Sequence, residues 1–528
     1  MRRTIFREDE LAGAAQAIDV ADILHVIPDR LHLAMAHAVA ATPDHPALVD
    51  GVVTWSYRQL AQNVEEIAAA LQALGIRGGD RIMIVSENCL ALAALLLAAS
   101  RLDAWAIVAN PRLSPRELDQ IRDHSGARRM LFTGGVSAEA ASHAARLGAT
   151  VDRVGPLDTI GIGALNESAT PEPVEADPAR QVAVLIYTSG TTGTPKGVML
   201  THQNMLFSAQ VIANVRKMTN TDRLYLVLPI SHIVGVSLLV QTLLSGATAR
   251  LVSKYDPAAL SSALAGDGIT ILNGVPATYQ RLLEYKAVQG IARLETGALR
   301  MIGVAGAPLD LDLKTRVEAE LGLPLLNGYG ITECAPGISG VRMEAPRDDQ
   351  GVGTLLPGTE ARIVGRDGGI VTDGGVGELH VRGRNVMLGY YRAPDITAKA
   401  IDGEGWFNTG DLAHFKDDGL FIVGRTKEMI IRSGFNVYPA EIEAVLNSHA
   451  AVMQSAVVGR AIGGNEDVVA FVQLIQGATV TPSEIMAHIS PQLTSYKRPS
   501  QIIVLDALPA TSTGKILKHK LAESLQAT

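Results

Sequence analysis

A segment rich in glycine and threonine is the part of the sequence whose residue types most clearly suggest chemistry. It reads YTSGTTGTPKG over residues 187–197 and follows the apolar run VAVLI. Glycines let backbone amides approach a ligand closely, while hydroxyl groups and a lysine add hydrogen bonds and charge. The GxxxxGK[ST] spacing of a Walker A loop is absent. We therefore predict a different polyphosphate-binding loop rather than an ordinary surface turn, with the candidate residues Thr188, Ser189, Gly190, Thr191, Thr192, Gly193 and Lys196.

Six further motifs follow this loop along the chain. They are LPISHIVG (228–235), GAP (306–308), GYGITE (328–333), NTGD (408–411), GRTKEMI (424–430) and STGK (512–515). Together with the loop they closely resemble the adenylate-forming, AMP-binding superfamily, which includes acyl-CoA synthetases, peptide-synthetase adenylation domains and beetle luciferases. The ordered set is far more specific than any one motif. The resemblance implies that the protein uses ATP to activate a carboxylic acid as an acyl-adenylate, with release of pyrophosphate.

The resemblance assigns the nucleotide to residues from several motifs. Tyr329 offers a flat face for adenine, Asp411 is an acceptor for ribose hydroxyls, and Arg425 is a second ribose contact. A carboxylate oxygen of Glu333 and the hydroxyl of Thr188 suit Mg²⁺ held between protein and phosphates. Beyond the phosphate loop, the residues implied for ATP and AMP binding are Gly306, Ala307, Pro308, Gly328, Tyr329, Gly330, Thr332, Asp411 and Arg425.

The acid is expected beside His232, which the resemblance places in the wall of the acyl pocket, where it orients the carboxylate toward the α-phosphate. Lys515 resembles the family's catalytic lysine, whose compact ammonium can meet carboxylate and phosphate together. With Glu333 and Thr188, these two residues form the expected catalytic set. The other candidate pocket residues are small or aliphatic, which favours an apolar fatty or aryl acid over an amino acid: Val234, Leu238, Val304, Ala305 and Gly330.

Coenzyme A is the expected acceptor, because IRSGFNVYPAEIE (431–443) strongly resembles bacterial fatty- and aryl-acyl-CoA synthetases. A glycine in this segment permits close passage of the thin pantetheine chain. The resemblance also implies that the C-terminal domain rotates about Lys427 between the two half-reactions. The turn after Val458 is one residue shorter than is usual in the family, which leaves the contacts to the CoA nucleotide open. The residues expected to bind CoA are Arg432, Ser433, Gly434 and Phe435.

Other functions remain open from the sequence. One is a free-standing adenylation enzyme that loads a carrier protein. Another is a malonate-type dicarboxylate CoA ligase, because Arg281 occupies a place where malonyl-CoA synthetases carry a carboxylate-binding arginine. An exposed helix arginine is the simpler interpretation of Arg281. A luciferase-like monooxygenase and an inactive acid-binding relative are the remaining alternatives, although intact Lys515 and Glu333 favour activity.

The elements that must position these motifs alternate between strand and helix. RIMIVS and AIVAN are strand-like, with the helical stretch CLALAALLLAASRLDA between them. Similar strand-like runs recur at 223–230, 248–252, 269–273 and 300–305. Such alternation predicts parallel sheets covered by helices on both faces.

Changes in composition and in the pattern of strands and helices along the chain predict its domains. Residues 134–180 are expected to be a variable, partly helical surface stretch, and short strands between Gly-Asp turns after 351 predict a small β-rich unit. The expected fold class is α/β. A large N-terminal domain of αβαβ-layered sheets, with the β-rich unit, is placed at 1–424, and a small mobile α+β domain at 425–528.

Composition excludes several classes of protein. The 528 residues exceed what one core organises, and a net charge of −8 argues against a nucleic-acid partner. Two cysteines, Cys89 and Cys334, indicate no disulfide framework, and Cys334 is interpreted as a packing residue. No secretory signal, spanning segment or zinc-type spacing is found in the sequence. We expect a cytoplasmic monomer or homodimer whose partners are a small carboxylic acid, ATP and CoA.

Overall fold

The computed structural model describes residues 19–188, 195–432, 435–462, 465–475, 477–510 and 516–525. Within these residues the chain forms two large sheets layered with helices, a four-stranded antiparallel sheet and a smaller α+β part at its C-terminal end. This arrangement confirms the predicted α/β class with a large N-terminal part and a small C-terminal part.

The helices of the described chain vary from six to seventeen residues in length. They are α1 (Val20–Val26), α2 (Ala36–Ala41), α3 (Tyr57–Ala73), α4 (Leu90–Arg101), α5 (Pro115–Ser125), α6 (Ala138–Arg146), α7 (His202–Val215), α8 (Ile233–Leu244), α9 (Pro257–Gly266), α10 (Pro276–Val288), α11 (Leu311–Leu321), α12 (Pro394–Ala400), α13 (Pro439–Asn447), α14 (Pro482–Ile489) and α15 (Lys518–Ser524). None of these described helices is both long and apolar enough to cross a bilayer.

The strands of the same residues vary from two to eleven residues in length. They are β1 (Pro46–Asp50), β2 (Val53–Ser56), β3 (Arg81–Val85), β4 (Trp105–Ala109), β5 (Arg129–Phe132), β6 (Thr150–Val154), β7 (Leu157–Ile162), β8 (Val182–Thr188), β9 (Lys196–Thr201), β10 (Arg223–Leu226), β11 (Thr248–Leu251), β12 (Ile271–Gly274), β13 (Met301–Val304), β14 (Leu325–Gly330), β15 (Gly337–Gly340), β16 (Thr354–Leu355), β17 (Thr359–Val364), β18 (Gly377–Gly383), β19 (Gly389–Tyr390), β20 (Phe407–Lys416), β21 (Gly419–Arg425), β22 (Ile430–Arg432), β23 (Phe435–Val437), β24 (Val452–Ile462), β25 (Asn465–Leu474) and β26 (Gln501–Leu505).

The first sheet has the strand order β19-β9-β8-β4-β3-β5-β7-β6. Strands β3 and β4 are buried along their whole length and pair in parallel, as their continuous apolar sequences predict. Helix α4 is buried on nearly all sides, because it belongs to the core shared by both large sheets. The stretch at 134–180 contains α6, β6 and β7, so it is more regular than expected.

The second sheet has the order β16-β15-β14-β13-β12-β10-β11-β1-β2, and β10 to β14 run parallel. Its two faces are covered by different helices. On β13, Met301 joins the core formed with α7 and α8, whereas Ile302 and Val304 join a second cluster formed with α9, α10 and α11. Alternation along the strand therefore assigns Gly303 and Ala305 to the α7–α8 side. The carboxyl ends of these parallel strands all meet at one edge, where ligands bind in open α/β sheets.

Apart from β16 and β19, which belong to the two large sheets, the strands beyond residue 350 form smaller units. Strands β17, β18, β20 and β21 form an antiparallel sheet, which confirms the predicted β-rich unit. After β21 come the hairpin β22–β23 and the sheet β24-β25-β26 with α13, α14 and α15. Two hydrophobic clusters draw all their buried members from residue 430 onward. A separate core of this kind is what a small C-terminal domain requires.

Candidate active site

The phosphate loop joins two antiparallel strands of the first sheet. Thr188 at the end of β8 pairs in register with Lys196 at the start of β9, so both residues lie at the base of the loop. A Cβ on Gly197 would lie 3.1 Å from the side chain of Leu185 and 3.2 Å from the ring of Tyr187, so glycine lets the returning strand pass closely. The loop residues Ser189, Gly190, Thr191, Thr192 and Gly193 lie outside the described residues.

A tyrosine connects the base of this loop to the predicted metal-binding carboxylate. Tyr390 on β19 pairs with Val198 on β9, and its hydroxyl donates a hydrogen bond to Glu333 Oε1 at 2.9 Å. The Lys196 ammonium lies 5.0 Å from the centroid of the Tyr390 ring. Burial and the Glu333 charge raise the pKa of Tyr390, so its hydroxyl stays a donor. Sequence analysis missed Tyr390, because it lies outside every recognised motif.

A second cluster brings together three residues expected at the nucleotide. Asp411 on β20 pairs in register with Arg425 on β21, and the Arg425 guanidinium lies 3.1 Å from Asp411 Oδ1. The Tyr329 hydroxyl donates a hydrogen bond to Asp411 Oδ2. Burial, together with the Asp411 charge, raises the pKa of Tyr329 well above its usual value. The cluster spans the junction between the second sheet and the four-stranded sheet.

The remaining nucleotide candidates surround this cluster. The segment Gly306, Ala307 and Pro308 follows β13, the neighbour of β14. The next candidates, Gly328, Tyr329 and Gly330, form the end of β14, and Thr332 opens the 3-10 turn that carries Glu333. A Cβ on Gly330 would lie 2.1 Å from the carbonyl oxygen of Pro336, so a larger residue would displace the backbone there.

His232 stands at the N-terminal end of α8. Its backbone amide donates to the Pro229 carbonyl at 2.9 Å, and a Cβ on Gly235 would lie 2.1 Å from the same oxygen. Glycine therefore allows the tight turn that presents the imidazole. Burial lowers the pKa of His232, so the ring is neutral near pH 7. The buried Nε2 has no hydrogen-bond partner in the described part of the chain.

The predicted acyl-pocket residues divide between the two faces of the second sheet. Val234 and Leu238 on α8 pack with the shared core, and Ala305 is half-buried just beyond β13 on that side. The Val304 side chain packs in the opposite cluster with α9, α10 and α11. Val234, Leu238 and Ala305 therefore lie on the side of the sheet covered by α7 and α8, and Val304 lies on the other side.

Comparison with known proteins decides the family. Residues 35–391 match the AMP-binding enzyme family, and residues 441–515 match the AMP-binding enzyme C-terminal domain. The chain is 33% identical over 522 residues to 4-coumarate–CoA ligase 5 of Oryza sativa subsp. japonica, covering 95% of this chain and 96% of the relative. The chain belongs to the AMP-binding enzymes, as an AMP-forming acid–CoA ligase.

Solved structures agree with this assignment. ATP-bound MatB from Rhodopseudomonas palustris superposes with a TM-score of 0.83 at 30% identity, covering 94% of this chain and 99% of that one. The o-succinylbenzoate coenzyme A synthetase MenE from Bacillus subtilis, in complex with ATP and magnesium ion, gives a TM-score of 0.78 at 28% identity, covering 92% and 98%. The predicted superfamily and enzyme class are confirmed. ATP and CoA are substrates of the family, and magnesium accompanies ATP in one of these structures.

The residues near the loop base suit Mg²⁺ bound with a polyphosphate. The 3-10 turn that carries Glu333 contacts β9, whose first residue pairs with Thr188. Mg²⁺ is usually held by one or two protein oxygens together with substrate phosphates and water. No group of three potential metal ligands occurs among the described residues. One carboxylate and one hydroxyl fit such an ion.

Several C-terminal candidates have internal contacts, and others are not described. The Arg432 guanidinium donates to the carbonyl of Arg498 at 2.6 Å and lies 3.1 Å from Asp467, so it ties β22 to the sheet of β25. The Phe435 ring is 54% exposed and stacks on Tyr496 with centroids 4.6 Å apart. Ser433, Gly434 and Lys515 lie outside the described residues. Ala510 and Ile516, which flank the Lys515 segment, are bridged as an antiparallel pair.

The hinge motif has a further contact that sequence analysis did not identify. Lys518 on α15 lies 3.1 Å from Glu428 and 2.8 Å from Glu443. Burial alone would lower the pKa of Lys518, but the two carboxylates outweigh it and the pKa is raised. Glu428 directly follows Lys427, so this ion pair connects the predicted hinge with the helix after the Lys515 segment.

Proposed function

We propose that this enzyme converts an acid with an apolar body, fatty or aryl, to its CoA thioester through an acyl-adenylate. The observation that carries the proposal is the convergence of two clusters at the strand ends. Thr188, Lys196 and Glu333 suit a polyphosphate with its metal, and the Tyr329–Asp411 pair suits a nucleoside. His232 stands at the N-terminal end of α8, and we assign the acid to the space beside it, against Val234, Leu238 and Ala305.

The first half-reaction depends on positioning and charge stabilisation. The acid's carboxylate oxygen attacks the α-phosphorus of ATP, and the bond to the bridging oxygen of pyrophosphate breaks. Lys196 faces the polyphosphate, while His232 orients the carboxylate with its neutral ring. Bound Mg²⁺ neutralises phosphate charge, and Glu333 and Thr188 hold it. Lys515 supplies the cation where carboxylate and α-phosphate meet.

The second half-reaction replaces AMP with a thiol. The sulfur of CoA attacks the acyl carbonyl, AMP departs with the electrons of the mixed-anhydride bond, and the thiol proton passes to solvent. The C-terminal domain at 425–528 rotates about Lys427 so that Gly434 borders the pantetheine path. Such a domain movement lets one cleft assemble two catalytic arrangements in turn.

The reaction class is tested by product balance. The protein is incubated with ATP, Mg²⁺, CoA and a panel of fatty, aryl and dicarboxylic acids, and pyrophosphate, AMP and thioester are measured. One pyrophosphate, one AMP and one thioester per acid consumed would support the proposal. Pyrophosphate without CoA consumption would instead indicate a carrier-protein acceptor, and oxygen uptake would indicate an oxygenase.

Replacing Gly434 should separate the two half-reactions. Gly434→Leu is expected to leave acid-dependent ATP–pyrophosphate exchange nearly unchanged and to depress thioester formation by about 10-fold or more, because a side chain narrows the pantetheine path. Gly434→Ala, with a smaller side chain, should have a smaller effect. Equal loss of both half-reactions in Gly434→Leu would contradict this role.

The ribose site is tested at Asp411. Asp411→Ala removes the acceptor that we assign to the ribose hydroxyls, and it also releases Tyr329 and Arg425. We expect the KM for ATP to rise by about 10- to 100-fold, since hydrogen bonds to a charged group are worth about 1.5–3 kcal/mol each. Arg425→Met, which leaves the carboxylate in place, should raise this KM less. An unchanged KM in Asp411→Ala, with the melting temperature preserved, would remove Asp411 from the nucleotide site.

A further inference from the structure

Arg216 is a half-buried cation that has no role in the proposed reaction. It directly follows α7, and its guanidinium donates a hydrogen bond to Asn273 Oδ1 at 2.7 Å. Burial lowers the pKa of Arg216 to about 10, so it is charged at neutral pH. No carboxylate lies within ion-pair distance of it in the described part of the chain. A half-buried charge without a counter-ion is only partly compensated by solvent, so its position needs an explanation.

The strand register places this cation on the acyl side of the second sheet. Asn273 on β12 pairs with Gly303 on β13, and both lie on the face covered by α7 and α8. A Cβ on Gly303 would lie 2.4 Å from Asn273 Oδ1 and 3.7 Å from Arg216 Nη2. The absence of a side chain at Gly303 is therefore what makes room for the Arg216–Asn273 pair.

The surroundings of Arg216 resemble those of the other site residues. Arg216, His232 and Tyr329 each lie deep enough for burial to shift the pKa, yet each keeps accessible surface. Gly303 lies two residues, about 7 Å, before Ala305 on the same face of the sheet. Because Arg216 lies beside Gly303, it is about 7 Å from the strand ends at which the acid's reactive carboxylate would lie.

We infer that Arg216, held by Asn273, forms the far end of the acyl pocket and binds a second carboxylate on the tail of the substrate. This inference rests on the proposed function and narrows its substrate class. The substrate has an apolar middle, which contacts Val234, Leu238 and Ala305, and an anionic end. A guanidinium matches a carboxylate through two parallel hydrogen bonds. Among the described residues, Asn273 is the one hydrogen-bond acceptor found for the Arg216 guanidinium.

Arg281 provides a matched comparison. It was the sequence-based candidate for a carboxylate-binding arginine, and it lies exposed on α10. That helix covers the opposite face of the sheet, where Tyr279 and Leu282 join the second cluster. Arg281 on α10 and Arg216 at the end of α7 therefore lie on opposite faces of the sheet. Each can be replaced without altering the surroundings of the other.

The test compares acids that differ only at the far end. We expect the wild-type enzyme to give a kcat/KM at least about 10-fold higher for octanedioate than for octanoate, or for 4-carboxycinnamate than for cinnamate, measured by AMP release. Arg216→Met, which keeps the apolar stem, should lower kcat/KM for the diacid by about 30-fold or more and leave the monoacid within about threefold. Arg281→Met should change neither ratio.

Two results would overturn the inference. One is a wild-type preference for the monoacid in both pairs, which needs no variant and so decides the matter even if Arg216→Met fails to fold. The other is an equal loss for both acids in Arg216→Met. If the enzyme converts monoacids but no diacid, this inference is rejected while the proposed ligase function stays intact. Failure to release AMP with every acid would reject both.

Discussion

Replacing Lys515 by alanine should reduce acyl-adenylate formation by about 10²–10³, or about 3–4 kcal/mol, which is the usual cost of losing one preorganised donor. The carboxylate and the α-phosphate both carry negative charge, and they approach one another most closely in the transition state. An ammonium that meets both groups therefore stabilises the transition state more than the bound substrates. Acid-dependent ATP–pyrophosphate exchange measures this loss.

The same variant should retain the second half-reaction. With synthetic acyl-adenylate and CoA, Lys515→Ala is expected to form thioester at close to the wild-type rate, because the proposed domain rotation has by then moved Lys515 away. Full pyrophosphate exchange in the variant would falsify the catalytic assignment. Similar damage to both half-reactions, with a lowered melting temperature, would indicate a structural role instead.

Lys518 is the matched control for this experiment. It lies three residues further along and makes ion pairs with Glu428 and Glu443 at 3.1 and 2.8 Å. Lys518→Met would leave two carboxylates without their shared cation. Removing one partner of a partly buried ion pair destabilises the fold, because the remaining charge is left without its partner. We therefore expect a lowered melting temperature and comparable effects on both half-reactions, a pattern opposite to that of Lys515→Ala.

The sequence predicted those parts of the site that lie in local motifs. Thr188 and Lys196 belong to one continuous segment, and folding it as two paired strands places both at the loop base. His232 follows a strand-like run, and the structure places it at the start of a helix. These positions depend on turn residues and on strand ends, both of which leave clear local patterns.

Contacts between distant segments could not be predicted in this way. Tyr390 and Glu333 are 57 residues apart, and only the pairing of β19 with β9 brings the hydroxyl to the carboxylate. The sequence also could not predict which face of the sheet the Val304 side chain occupies. A strand buried on both faces has a continuous apolar sequence, so alternation does not reveal which residues face α8. No signal in the sequence pointed to Arg216 either, because a single arginine after a helix usually lies in solvent.

Replacing Glu333 by glutamine tests whether its charge, rather than its hydrogen bond, is what the reaction needs. Glutamine keeps the size of the side chain and an oxygen that can accept from the Tyr390 hydroxyl. It removes the negative charge with which, in our proposal, Glu333 binds Mg²⁺. We expect adenylate formation to fall by about 10²-fold or more at ordinary Mg²⁺, since metal-bound charge stabilises the departing pyrophosphate. Raising the Mg²⁺ concentration should restore part of the rate.

Tyr390→Phe is the complementary variant, because it keeps the carboxylate and removes only the hydroxyl that donates to it at 2.9 Å. Its cost should be that of one hydrogen bond to a charged group, about 1.5–3 kcal/mol at most, with little change in the Mg²⁺ dependence. Rates of adenylate formation measured across a Mg²⁺ series distinguish the two variants. If Glu333→Gln shows the wild-type rate and Mg²⁺ dependence, then Glu333 does not hold the metal. If both variants lose activity equally with lowered melting temperatures, the Glu333–Tyr390 pair stabilises the junction of β9 and β19 rather than the reaction.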